Sequence, residues 1–461
     1  MTEDLILLHG EITEREIRKM FVIFLGAQSV AWLTARLAKT DLRIATFPPN
    51  GELRGLATTR DRSSGDVVLE VSDSDIFSSN NVLPMQPALL REATRTAAAG
   101  RLLTDDHLLP LLLLLARDAG PTDPWSSYVD ALPDVQPSPL TLSAHQLVLL
   151  PTCYAQLART VDSYARHLHA GCESAIQALI ADGVDQDVLG VDSFVWAHGH
   201  VRARSLPFGA NAFPCVSEAA GRHTLIPALD LLNHSPMAQT TVERGEGSWR
   251  LVSETSYQDG EQVFISYGRR DNLRLWLQFG FALRDNPEQH AAFDASEIVE
   301  AVSAHYQRRK GDAWPHAALG SWEHELLKTS IPSPVPLHPA EWMREHLYMI
   351  DLARHRASDK LNEALVRAVL ATCSDASAMP MVAGVASFDA MTDAILVRLL
   401  RARADLLQQR LSTCEDGCAE TEPLQILMTT EREAALDVLA AINAAQADGA
   451  LPPGGDLGRD Q

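Results

Sequence analysis

The chain has 461 residues, 46% of them hydrophobic and 21% charged, which is the make-up of an ordinary folded protein with room for two or three domains. Its formal net charge of -21, from 39 Lys+Arg against 60 Asp+Glu, argues against direct nucleic-acid binding, which needs basic surface. It suits basic protein or peptide partners. The six cysteines are scattered, without the density of a disulfide framework or the spacing of a zinc site, so a reducing compartment is expected.

Residues 1–42 read as an N-terminal helical segment. The acidic start has no basic residues ahead of an apolar core, so it is not read as a secretory signal. Phe21 to Leu37 is the most apolar long stretch, but Gln28, Ser29, Thr34 and Arg36 interrupt it, and Leu108 to Leu115 is too short to span. A span needs about 20 predominantly apolar residues. No membrane association is expected, and the absence of targeting signals points to a soluble cytoplasmic or nuclear protein.

Leu42 to Phe47 reads as a strand ending in the turn Pro48-Pro49-Asn50-Gly51. Two more strand candidates, near Leu56–Thr58 and Val67–Val71, are joined by the turn Arg62-Ser63-Ser64-Gly65. Further β-rich stretches fall at 224–230, 249–255 and 262–266. Between them, about 86–198 has leucines and alanines at helical spacing, so a helical insertion splits a β-rich domain. Residues 290–445 read as all-helical, and 446–461 as a disordered tail. The fold class is α+β.

No Gly-rich phosphate loop, HExxH motif or GxSxG elbow is present. His198 and His200, with Cys215 or His223, form no convincing metal site, because a helix turns residues i and i+2 to different faces. No metal is expected.

Five segments stand out in order: GELRGLATTRDRSSGDVVLEV (51–71), LPLLLLLARDAGPTDPWSSYVDALP (109–133), FVWAHGHVRARS (194–205), LIPALDLLNHSP (225–236) and DGEQVFISYGRRDNLRLWLQFGF (259–281). Together they resemble SET-domain protein methyltransferases of the Rubisco large-subunit methyltransferase class. The most specific pair is DLLNHS followed by GEQVFISYG.

The resemblance implies a SET domain over 43–285, split by the insertion, and a helical substrate-binding domain over 290–445. It also implies a knot-like passage that brings DLLNHS and ISYG together. The implied reaction is methyl transfer from S-adenosylmethionine to a protein side-chain nitrogen, with lysine the expected acceptor and histidine an alternative. Such a reaction depends on positioning and on oxygen atoms around the methyl group.

By the same resemblance Tyr267 is the catalytic phenol. Glu52, Leu53, Arg54 and Gly55 form the loop that approaches the cofactor with its backbone, Arg204 pairs with the cofactor carboxylate, and Asn233 binds the cofactor through its amide. His234 is expected to contribute its main chain. Asp230 either helps to position cofactor or substrate, or caps a turn. Leu53 stands where a Gly is common, and Gly alone takes positive φ cheaply. Phe279 stands where the family usually has Tyr, which removes a hydroxyl near the cofactor. These two departures favour a competing reading, a weak or inactive SET-type protein that serves as a protein-binding module. The WSSYVDALP segment and Trp196 are read as packing residues. Asp271 is expected to cap a helix that turns Leu273, Trp276 and Leu277 to the core.

Overall fold

The computed structural model describes residues 40–47, 53–134, 139–206, 216–217, 223–310, 323–324, 326–327, 337–352, 356–373, 385–413 and 422–447. Most of the expected N-terminal helix, the turn at 48–51, Glu52, Cys215 and most of the tail lie outside them. The chain divides into two units, Met1–Val135 with His169–Tyr267 and Gln136–Leu168 with Gly268–Gln461.

In the first unit β1 (Leu42–Phe47), β2 (Leu53–Thr58), β9 (Gln262–Ile265) and β6 (Asn233–His234) form one sheet in the order β1-β2-β9-β6. β1, β2 and β9 pair antiparallel, whereas β6 lies parallel to β9 with Asn233 opposite Phe264 and His234 opposite Ile265. A second sheet, β3 (Val67–Ser72), β8 (Ser248–Ser253) and β7 (Thr240–Arg244), is antiparallel, and β4 (Leu103–Thr104) pairs parallel with β5 (Val216–Ser217). Leu56, Val68, Ile226, Leu229, Leu232, Leu251 and Val263 form a common core. Burial of these aliphatic side chains stabilises the unit by about 1.5–3 kcal/mol each before chain entropy is counted.

The expected β character at 224–230 takes a different form. Thr224 bridges to Leu206 and Leu225 to Phe77, but the ladder stops there. Pro227 has no N–H to continue it. Ala228 takes φ 76°, ψ -44°, and Leu229–Leu231 then forms a single 3-10 turn before β6. Ala228 is the one non-glycine residue with positive φ among the described residues, and it is buried. Backbone strain of this kind costs about 1–3 kcal/mol and persists only where surrounding packing imposes it.

The insertion is helical as read, with the main helices at Pro87–Ala98, Asp105–Ala119, Thr152–Gly171, Glu173–Ala181 and Val191–Arg204. His198 and His200 both sit on Val191–Arg204 and are buried. The His200 ring bonds the Pro133 carbonyl at 2.9 Å, and burial pushes its pKa down to about 3.

The second unit, which takes in 136–168 as well as the C-terminal part, is mainly helical and also holds a small sheet. β10 (His290–Phe293), β11 (Tyr348–Asp351) and β12 (Arg356–Ala357) form a short antiparallel sheet in the stretch read as helix throughout. HAAF and YMID are too short to show a period of two against their Ala- and Leu-rich surroundings. Asp271 caps helix Asn272–Phe279, accepting from the Arg274 N–H at 2.8 Å, and Leu273, Trp276 and Leu277 are buried.

Arg403, on helix Val385–Thr413, is fully buried in this unit. Its guanidinium donates to Glu297 Oε1 at 2.7 Å, Glu431 Oε1 at 3.0 Å and the Ala292 carbonyl at 2.6 Å, while the Tyr154 hydroxyl donates to Glu431 Oε2 at 2.5 Å. Burial works against the Arg403 charge, but its anionic neighbours, Glu297 foremost, hold its pKa well above the ordinary value. For Glu431 burial wins over Arg403 and Tyr154, and the carboxyl is pushed up to about 7. The two directions agree with one ion pair, between the buried guanidinium and the partly exposed Glu297, and Glu431 keeps its proton near neutrality.

A carboxyl whose folded pKa lies above its unfolded value contributes stability that is complete below the unfolded pKa. That contribution is lost as pH rises through the folded pKa, here from about 4.5 to about 7. The urea midpoint of the wild-type chain is therefore expected to fall across this window relative to Glu431→Gln. Parallel pH profiles for the two proteins would remove Glu431 as the titrating group.

Candidate active site

The parallel pairing of β6 with β9 brings two distant sequence segments side by side, Asn233-His234 and the strand that leads into Tyr267. The Tyr267 hydroxyl donates to the Leu232 carbonyl at 2.8 Å, and the Tyr267 N–H donates to His234 Nδ1 at 3.1 Å. Because a backbone N–H only donates, Nδ1 of His234 is the unprotonated nitrogen. The rings of His234 and Tyr267 stack, with centroids 5.0 Å apart. Burial raises the Tyr267 pKa to about 12, so the phenol stays neutral at physiological pH.

The next layer is set by β2. The Asn233 side-chain amide donates to the Arg54 carbonyl at 3.1 Å. A Cβ at Gly55 would stand 2.7 Å from Asn233 Nδ2 and 2.8 Å from Gln262 Nε2. Glycine is needed here for close approach, not for positive φ. Leu53 opens β2 opposite Phe47 in ordinary strand pairing, so the missing glycine there imposes no left-handed backbone on a leucine.

Gly55→Ala is expected to push the Asn233 amide off the Arg54 carbonyl, since both crowded atoms are ends of flexible side chains. Affinity for S-adenosylmethionine, the cofactor expected from the sequence, should then fall at least tenfold while the melting temperature moves only a few degrees. An unchanged affinity in calorimetry would show that the Asn233 amide is not a binding group.

Beside Asn233 lies a charge cluster. Arg204, the last residue of helix Val191–Arg204, donates from Nη1 to the Asp230 carbonyl at 3.2 Å and sits 3.9 Å from Asp230 Oδ2. The Asp230 side chain is 1% exposed. Burial raises its pKa, and Arg204 and the Tyr128 hydroxyl work in the opposite direction. Burial also lowers the Arg54 pKa, as does the neighbouring Arg204 charge. Two guanidiniums and one carboxylate leave one positive charge uncompensated in a low-dielectric place. Among the described residues, Arg204 Nε, Asp230 Oδ1 and Gln262 Nε2 are buried without a hydrogen-bond partner. A ligand bound here would give these three groups partners.

The structure thus gathers Arg54, Gly55, Arg204, Asp230, Asn233, His234 and Tyr267 in one unit. Asp230, undecided from sequence, stands at the centre of the cluster. The His234 imidazole accepts from the Tyr267 N–H, and its main chain pairs in β6 against β9. Glu52 lies outside the described residues, as does the Leu53 side chain. Phe279 belongs to the other unit, where its ring packs on Phe281 at 6.2 Å and under the Arg270 guanidinium at 5.7 Å. Sequence reading missed Tyr128, whose hydroxyl donates to Asp230 Oδ2 at 2.9 Å.

No protein-family model matches the chain. The solved structures it resembles include the SET domain of LSMT bound to lysine and AdoHcy, at 15% identity and a TM-score of 0.54 over 91% of this chain and 92% of that one. Rubisco LSMT bound to AdoMet is similar at 16% identity and a TM-score of 0.54 over the same shares. The chain therefore shares the fold of these Rubisco LSMT structures. Two curated proteins are similar in sequence over part of their length. SET domain-containing protein 4 of Mus musculus is 29% identical over 283 residues, 59% of this chain and 62% of that protein. The actin-histidine N-methyltransferase of Danio rerio is 25% identical over 60% of this chain and 44% of that protein. The chain therefore matches less than two thirds of the length of either relative. Among the described residues no helix is long and apolar enough to cross a membrane.

Proposed function

We propose that the chain is an S-adenosylmethionine-dependent protein methyltransferase, with a lysine side-chain amine as acceptor. The observation that carries the proposal is the Arg54–Arg204–Asp230 cluster, which offers guanidiniums and a carboxyl to a ligand end that carries both signs, in the same unit as Asn233 and Tyr267.

The residues fit that cofactor. Its amino-acid end carries one carboxylate and one ammonium. Arg204 and Arg54 suit the carboxylate, and the unpartnered Asp230 Oδ1 and the Asn233 side-chain carbonyl oxygen suit the ammonium. When bound, the cofactor supplies an electrophilic methyl group on a sulfonium. The chain's part is to hold and orient. Tyr267 keeps its proton, since its pKa is about 12, and its hydroxyl is fixed by the Leu232 carbonyl. A neutral phenol oxygen retains lone pairs to accept from the acceptor amine and from polarised C–H groups. The His234 imidazole fixes the backbone of the same tyrosine.

A histidine acceptor is the second reading, favoured by the actin-histidine N-methyltransferases among the relatives. Both readings are tested by incubating the full chain with labelled S-adenosylmethionine and a protein extract, followed by mass spectrometry of labelled peptides. Methyl-lysine supports the first, and methyl-histidine the second. A chain that binds the cofactor yet labels nothing would favour a protein-binding module instead. Asn233→Ala is expected to lose labelling together with cofactor affinity.

A further inference from the structure

We infer that the segment Trp125–Pro133 is a strap that sets the Arg54–Arg204 pair for its ligand, with the Tyr128 hydroxyl as the positioning group. The inference rests on the cofactor reading above.

The strap grips three elements of the site at once. Tyr128 Oη donates to Asp230 Oδ2 at 2.9 Å, on the 3-10 turn that precedes β6. Arg54, on β2, donates from Nη2 to the Ala131 carbonyl at 3.2 Å. The Pro133 carbonyl accepts from Trp196 Nε1 at 3.2 Å and from the His200 ring at 2.9 Å, both on the helix that ends at Arg204. One short stretch therefore fixes the strand bearing one guanidinium, the helix bearing the other, and the carboxylate between them.

Packing holds the phenol still. The Tyr128 ring meets Trp125 edge-on with centroids 6.5 Å apart and lies 6.2 Å from Phe77. Phe77 is in turn bridged to Leu225, at the start of the segment that delivers Asp230. The hydroxyl is therefore placed by a rigid aromatic cluster.

The placement has a chemical consequence. Arg204 and Asp230 are close enough to attract but are held 3.9 Å apart, longer than a hydrogen-bonded ion pair. The Tyr128 hydroxyl occupies Oδ2 and restrains the carboxylate from closing on Arg204. The guanidinium stays available for an incoming carboxylate. Without the hydroxyl, Asp230 turns onto Arg204 and competes with the ligand. Burial and the two arginines make that collapse favourable, because it pairs a buried charge more fully.

The test is calorimetric titration of the full chain with S-adenosylhomocysteine, for wild type, Tyr128→Phe, Asp230→Asn and the double variant. Tyr128→Phe keeps the ring and its packing, and is expected to weaken binding about tenfold, the scale of a hydrogen bond to a charged group. In the Asp230→Asn background, where no charge competes for Arg204, adding Tyr128→Phe should change the Kd by less than about threefold. A purely structural tyrosine predicts equal effects in both backgrounds, and that additivity would overturn the inference. So would an unchanged Kd in Tyr128→Phe. Should Tyr128→Phe fail to fold, Trp196→Phe cuts another tie of the strap, its bond to the Pro133 carbonyl. It should weaken binding measurably, and an unchanged Kd there overturns the inference as well. If the wild type binds neither S-adenosylhomocysteine nor S-adenosylmethionine, the functional reading itself falls, and the strap with it.

Discussion

Replacing Tyr267 by Phe is expected to slow methyl transfer by about a hundredfold or more and to leave cofactor affinity within about threefold. The ring stays where it is, because it packs on His234 and against the first unit's core. The backbone bond from the Tyr267 N–H to His234 Nδ1 also survives the change. Only the hydroxyl goes, and with it the bond to the Leu232 carbonyl. One hydrogen bond of this type is worth about 1 kcal/mol of stability, so the variant should remain folded. Single-turnover transfer measured beside calorimetric binding separates the two effects. Transfer within a few-fold of wild type would show that Tyr267 is an ordinary core tyrosine and not the catalytic phenol.

The largest expected effect on stability comes from Arg403→Met. Methionine fills much of the same volume, but it leaves Glu297 and Glu431 without the cation that faces both. Removing one partner of a fully buried ion pair costs about 3–5 kcal/mol, and the partial exposure of Glu297 places the cost here toward the lower figure. The contact of the guanidinium with Phe293, 4.6 Å from its ring, is lost too. Glu431 offsets part of the cost by keeping its proton, whereas Glu297 is left with its charge unbalanced. Adding Glu297→Gln to Arg403→Met is therefore expected to recover at least a third of the lost stability in urea unfolding. Failure to recover any of it would place the cost in packing and not in charge.

The sequence reveals the architecture where local chemistry determines it. Strands β1, β3, β8 and β9 lie where β-branched and aromatic runs end in turn residues, and Asp271 caps its helix as its position before Asn272 suggests. The C-terminal sheet is invisible because its strands are at most four residues long and sit among helix formers. At the site, motif resemblance points to Arg204, Asn233 and Tyr267, and the fold places all three in one unit.

What sequence cannot reveal is partnership over long chain separations. Tyr128 and Asp230 are 102 residues apart, and nothing local in WSSYVDALP marks its tyrosine as anything but a packing residue. The imidazole of His234 is hidden for a related reason, since its role depends on the parallel register of β6 against β9. Gly55 is a subtler case. A glycine in a strand invites a reading in terms of backbone freedom, whereas the crowding comes from Asn233 and Gln262 side chains supplied by two other strands.

The most direct test of the central claim is calorimetric titration of the full wild-type chain with S-adenosylmethionine, repeated on Arg204→Leu. The Arg54–Arg204–Asp230 cluster predicts saturable one-to-one binding by the wild type and a loss of at least tenfold in affinity for the variant. Saturable binding that Arg204→Leu leaves intact, or no binding by the wild type at all, would contradict the assignment of this cluster as the cofactor site.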